Sequence, residues 1–156
     1  MLPQEHFIYG FFLSGFLFLI FPYVKLFGFL LIVLSTVLLD SDHFLYYIIK
    51  KKDFSLTNAY GFFRNNNEKF NALPASKRAE YFGSWSFFHG IEWLIILVLL
   101  TFYISEYFGF LFIGISFHLL LDYTKQWTFY RRKDKVSIIH DFFKFRKLKD
   151  INSLQI

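Results

Sequence analysis

Residues 24–43 read VKLFGFLLIVLSTVLLDSDH, an apolar run that ends abruptly in Asp40, Ser41, Asp42 and His43. A change of solvent at the edge of a lipid bilayer explains such a boundary, because charged groups are costly within hydrocarbon. Three further runs share this character: Phe7 to Phe21, closed by Pro22; Phe87 to Ile104, behind Trp85; and Phe108 to Leu121, which runs into Asp122, Tyr123, Lys125 and Trp127. Proline cannot continue a helix comfortably, which fixes the end of the first run. Several runs are short against the roughly 20 residues that a ~30 Å hydrocarbon core requires. Aromatic and Lys flanks extend them into the interface. The pattern predicts an all-α fold, an integral membrane four-helix bundle with a polar cytoplasmic loop and a basic C-terminal tail. Residues 1–126 form the transmembrane domain, with the loop over 50–84, and residues 127–156 form the tail.

Composition agrees. Hydrophobic residues make up 55% of the 156, and phenylalanine alone contributes 25. That is too apolar for an ordinary water-facing surface and suits a chain solvated by lipid. The chain has no cysteine, so disulfides and thiolate metal sites are excluded and any metal must be held by nitrogen and oxygen. A net charge of +5 is spread between apolar runs instead of forming a soluble basic patch. It points to anionic lipid headgroups and away from nucleic acid. The opening Met1-Leu2-Pro3-Gln4-Glu5-His6 lacks a basic n-region, so the first run is expected to be retained and not cleaved as a signal peptide.

Of the 17 Lys and Arg residues, only Lys25 falls on one side of this topology. The loop between the second and third runs carries Lys50, Lys51, Lys52, Arg64, Lys69, Lys77 and Arg78, and the remainder follow from Lys125 onward. The positive-inside rule then places both termini and the central loop in the cytoplasm of an inner-membrane, multi-pass protein. The stretch from Asp53 to Gly83, with Asn65-Asn66-Asn67 and Leu73-Pro74, reads as a loop with a short helix over residues 75–82. Phe44 to Ile49 reads as a helix leaving the bilayer, and the tail reads as resting on headgroups.

This topology brings the ionisable residues to one face. Asp40, Asp42 and His43 leave the second helix; His89 and Glu92 enter the third; His118 and Asp122 leave the fourth; Glu5 and His6 precede the first. Asp40/His43 and His89/Glu92 are three apart and His118/Asp122 four apart, spacings that put both members of a pair on one helical face. An imidazole and a carboxylate on one face either ligate a metal together or leave the carboxylate to orient the ring. The candidate metal ligands are His6, Asp40, Asp42, His43, His89, His118 and Asp122. Glu92 and Asp42 are candidate catalytic carboxylates. One or two divalent ions (zinc, manganese or iron) would fit such ligands, and a pair would suit phosphoryl or ester hydrolysis. His140 and Asp141 read as solvated residues of the tail.

Asp40-x-Asp42-His43, a histidine at the third helix and His118-x-x-x-Asp122 resemble the membrane-bound metal-dependent hydrolases, a superfamily that includes the LexA-regulated inner-membrane proteins. The resemblance spans Glu5 to about Lys125. Members of the LexA-regulated branch show a His-Arg-x-x-x-His-like central motif. Here Phe88-His89-Gly90-Ile91-Glu92-Trp93 stands in its place, which implies a sister branch. The resemblance implies a metal-dependent hydrolase acting on a lipid or lipid-linked phosphate or ester. Three other readings stay open from the residues alone: a di-iron membrane oxidase, a metal or ion transporter, and a non-catalytic assembly factor.

Overall fold

The structure is a computed structural model and describes residues 3–130 and 136–154. Its elements run α1 (Pro3–Ile20), α2 (Leu26–Leu38), α3 (Ser41–Lys51), α4 (Leu56–Ala72), the single turn α5 (Ala75–Arg78), β1 (Tyr81–Phe82), α6 (Ile91–Tyr103), α7 (Tyr107–Lys125), α8 (Ile138–Phe145) and β2 (Lys149–Asp150). A π-helical turn, Gln126–Tyr130, continues α7. Helix α2 packs against both α1 and α7, and α6 packs on the other side of α7. The expected all-α class is met apart from the two-residue parallel pair β1–β2.

The interior of this helical layer is polar and its exterior apolar. Ser14, Ser35, Thr36, His6, His89, His118 and Asp122 are buried. Leu26, Leu30, Leu34 and Leu38, a row at i+4 spacing along α2, are exposed, as are Phe12 and Leu19 on α1 and Phe102 on α6. A small apolar cluster of Val24, Ile32 and Phe110, with Leu13, Leu17 and Ile113 around it, fills one end. Two helical runs are long and apolar enough to cross a membrane, Leu26–Lys51 and Tyr107–Phe129, while Ile91–Tyr103 is apolar but shorter.

Two boundaries differ from the sequence reading. The third helix begins at Ile91, not Phe87, because Gly90 is extended (φ −147°, ψ 151°). Its first amide donates to the Val136 carbonyl instead of to a preceding turn. The segment read as a loop over residues 53–83 contains the 17-residue helix α4. Ser55 caps it by accepting from the Asn58 amide, and Pro74 ends it by disfavouring helix at Leu73. Ala59, Asn66 and Phe70 share its buried face, so the asparagine run that suggests a loop lies within a helix held by tertiary packing.

The C-terminal segment is drawn back onto the body. Lys149 and Asp150 pair with Tyr81 and Phe82, Ile151 is fully buried, and Lys50 of α3 pairs with the Asp150 carboxylate. Partial burial raises the Asp150 pKa, but Lys50 and the Asn152 donors together outweigh it and hold the carboxyl below its ordinary range. Asp53, which receives hydrogen bonds from Tyr47, Asn58 and the Ser55 amide, is likewise held low. His140 is exposed as expected, but Asp141 is buried at the start of α8. Arg131, Arg132, Lys133 and Lys135, which contribute to the charge asymmetry, lie outside the described residues.

Candidate metal centre

The α2–α3 junction supplies the centre's first residues. Helix α2 stops at Leu38 and α3 starts at Ser41. The Asp40 amide bonds to the Val37 carbonyl (3.2 Å) instead of continuing the α-helical ladder. The Thr36 carbonyl, among the last four of the helix and so without an intrahelical partner, accepts instead from His118 Nδ1 at 2.8 Å. Asp40 then sits at the corner between the two helices, with His43 one turn into α3.

Six of the seven expected ligands are buried: His6, His89 and His118 completely, and Asp40, Asp42 and Asp122 to 8%, 3% and 2% exposure. His43 is partly exposed. Asp40 Oδ1 lies 3.5 Å from Nε2 of both His43 and His89 and 3.6 Å from His118 Nε2. Asp122 Oδ2 lies 3.6 Å from His89 Nε2 and 3.8 Å from His118 Nε2. His6 Nε2 approaches the other oxygens, Asp122 Oδ1 at 3.3 Å and Asp40 Oδ2 at 3.8 Å. Neither His6 ring nitrogen has a hydrogen-bond partner among the described residues. Two groups, His6/Asp40/His118/Asp122 and Asp40/His43/His89, each place ligand atoms within 4.8 Å of one another. This buried His/Asp cluster can hold a metal ion.

Tautomers sharpen the chemistry. A carbonyl oxygen can only accept, so His118 Nδ1 carries a proton. His89 Nδ1 faces Asp42 Oδ2 at 3.0 Å and is assigned as a donor on the same grounds. The remaining nitrogens, His89 Nε2 and His118 Nε2, face each other at 3.0 Å. In neutral rings both would point lone pairs at one another beside two carboxylates, an arrangement that only an intervening positive charge relieves. A shared proton would serve this one contact. A metal ion also serves Asp40 and Asp122, whose oxygens face the same nitrogens.

Asp42, expected as a ligand and catalytic carboxylate, is placed behind His89. Its Oδ2 accepts from His89 Nδ1 and from the Phe88 amide at 2.9 Å, and Oδ1 lies 3.7 Å from His43 Nδ1. That is the position of a group that orients a ligand and raises its basicity. Asp42→Asn is expected to weaken metal affinity about 10- to 100-fold while leaving the saturated stoichiometry unchanged. Competition against a chelating dye measures both, and wild-type affinity in the variant would remove Asp42 from this role.

Glu92 is not brought to the cluster. Its carboxylate accepts from Ser137 Oγ (2.6 Å) and the Ile138 amide (3.1 Å), so it holds the start of α8, where negative charge is favoured. With Gly90 extended, His89 and Glu92 do not share a helix, which removes the premise that paired them. Conversely, the sequence reading passes over Ser84 and Ser86, whose hydroxyls lie 3.2 and 3.4 Å from His43 Nδ1, and over the Thr36 carbonyl. Ser35-Thr36 inside an apolar run was the one available signal for the latter.

The cluster opens into a cavity of about 300 Å³ under α4. Asp40, His43 and Asp122 reach it from the centre, Phe44, Leu56 and Phe63 are among its apolar walls, and Asn66, Lys125 and Gln126 supply polar groups. No family model, curated protein or solved structure matches this chain.

Proposed function

We propose that this protein is a metal-dependent hydrolase of the cytoplasmic membrane, acting on a lipid or lipid-linked phosphate or ester. The observation that carries the reading is the facing pair of His89 and His118 nitrogens between Asp40 and Asp122, two carboxylates that line a largely apolar cavity. A divalent ion held there would supply Lewis acidity toward a phosphoryl or acyl oxygen.

The chain's own residues supply the rest. Lys125, one turn beyond Asp122 and beside the cavity, attracts an anionic headgroup. Asn66 Oδ1 and Gln126 Oε1, buried without hydrogen-bond partners among the described residues, accept from a polar head. Phe44, Leu56 and Phe63 receive an apolar chain and exclude water. His43 is the histidine of the cluster that reaches the cavity, and it holds or moves a proton for the substrate at its ring nitrogens. Delivery by lateral diffusion follows if all four apolar helices (α1, α2, α6 and α7) span the bilayer as a bundle with both termini cytoplasmic. The polar interior beneath an apolar exterior supports that arrangement, since exposed apolar area on this scale needs a partner.

Purified protein in mixed micelles, loaded with zinc or manganese, is expected to release phosphate from a lipid phosphomonoester or fatty acid from a lysophospholipid, and to stop on chelation. Metal-replete protein that turns over neither would sink the hydrolase and leave transport or assembly ahead.

A further inference from the structure

We infer that the centre holds two ions, not one, bridged by both Asp40 and Asp122. The inference rests on the metal-binding part of the preceding reading and not on hydrolysis.

Ring orientation is the first argument. His6 and His118 are stacked, with centroids 3.8 Å apart and planes inclined by 17°. An imidazole binds a metal along its in-plane lone pair, so a shared ion would have to lie in both planes at once. Near-parallel planes this far apart do not meet within bonding distance of either nitrogen. The two rings therefore address two different points.

The carboxylate oxygens divide in the same way. Asp40 Oδ1 and Asp122 Oδ2 face His89 and His118, while Asp40 Oδ2 and Asp122 Oδ1 face His6. Four donors around a tetrahedral ion with bonds near 2.0–2.1 Å stand about 3.3 Å apart. His89 Nε2 and His118 Nε2 stand 3.0 Å apart, and each lies 3.5–3.8 Å from Asp40 Oδ1 and Asp122 Oδ2. These four form the first site. His6 Nε2 with the two opposite oxygens forms the second, whose donors are 3.3 and 3.8 Å from the nitrogen. His6 is completely buried with both nitrogens lacking hydrogen-bond partners among the described residues, and an ion ligated by Nε2 satisfies that nitrogen.

The second site has three donors from the chain against four for the first, and its two carboxylates both line the cavity. The first site shares those carboxylates, so the two sites differ in the number of donors, and the second leaves more coordination positions open.

Manganese loading of the full-length protein in detergent tests this. Elemental analysis is expected to give two ions per chain, with an exchange-coupled paramagnetic resonance spectrum. His6→Ala is expected to give one ion and an uncoupled spectrum, and His43→Ala to retain two. One ion or none in the wild type, two in His6→Ala, or loss of an ion from His43→Ala alone would each overturn the assignment. Because the wild-type ratio and spectrum decide by themselves, a misfolded variant does not shield the proposal. Two coupled ions without turnover would instead refute the hydrolase and leave the paired centre standing.

Discussion

Asp40→Ala is expected to abolish metal binding and turnover together. Asp40 faces four histidines of the cluster: one oxygen faces His43, His89 and His118 within 3.6 Å and the other faces His6. Alanine removes both donors and leaves Asp122 to face His6, His89 and His118. A carboxamide would keep the shape but not the charge, so Asp40→Asn should retain more of the fold and almost as little metal. Activity should fall at least about 10²- to 10³-fold, the scale seen when a group aimed at developing charge is removed. Stability offers an independent check. A ligand that binds only the folded state stabilises it by about 4 kcal/mol at a thousandfold excess over Kd. Adding zinc or manganese should raise the wild-type melting temperature and leave that of Asp40→Ala unmoved. A metal-dependent rise in the variant equal to the wild type's would show that the ion binds elsewhere.

The residues that were legible in the sequence are those whose chemistry is set by local spacing at a helix end. His118 and Asp122 lie on the same face of one helix at i+4, and the structure keeps them so. Asp40-x-Asp42-His43 spans a helix junction, and its abrupt entry after an apolar run is itself the signal. His6 has Glu5 beside it but no carboxylate three or four residues away to share a helical face. It stacks on His118 of α7 and faces Asp40 and Asp122, contacts that no local pattern encodes. Glu92 shows the opposite error. Its i+3 relation to His89 is meaningful only if both are helical, and Gly90 prevents that. Its actual partner, Ser137, is 45 residues away. Asp42 and Asp40 could not be told apart by type or spacing, since the choice between ligating and orienting depends on which nitrogen of His89 each oxygen meets. Helix α4 was hidden for a related reason. Its asparagines and charges suit a solvated loop, and only the cavity beneath it explains why Ala59, Asn66 and Phe70 share a face.

Gly114→Val is expected to destroy the centre without touching a ligand. A Cβ at Gly114 would stand 1.9 Å from Ser35 Oγ and 2.5 Å from the Ile32 carbonyl oxygen. The hydroxyl can rotate, but the carbonyl belongs to the backbone of α2, so the helices must part. Gly10 on α1 meets the next residue of α2, Thr36, with a Cβ position 2.1 Å from its Oγ1. Small residues thus set the approach of α2 to both neighbours, the device that lets helices pack closely in lipid. Each glycine lies four residues, about one turn, from a histidine of the centre: His6 before Gly10, and His118 after Gly114. Separating α2 from α7 draws His118 Nδ1 from the Thr36 carbonyl and Nε2 from Asp40 in the same movement. Overpacking of this kind costs about 1–3 kcal/mol or more, and the bonds of the centre are lost in addition. The matched control is Gly15→Ala on α1, where the added Cβ meets nothing within 4 Å and where neither stability nor metal content should fall. Melting curves and metal analysis of Gly114→Val, Gly10→Val and Gly15→Ala separate the cases. Wild-type melting and metal content in Gly114→Val would mean that the ligands are held by something other than the close contact of α2 with α7.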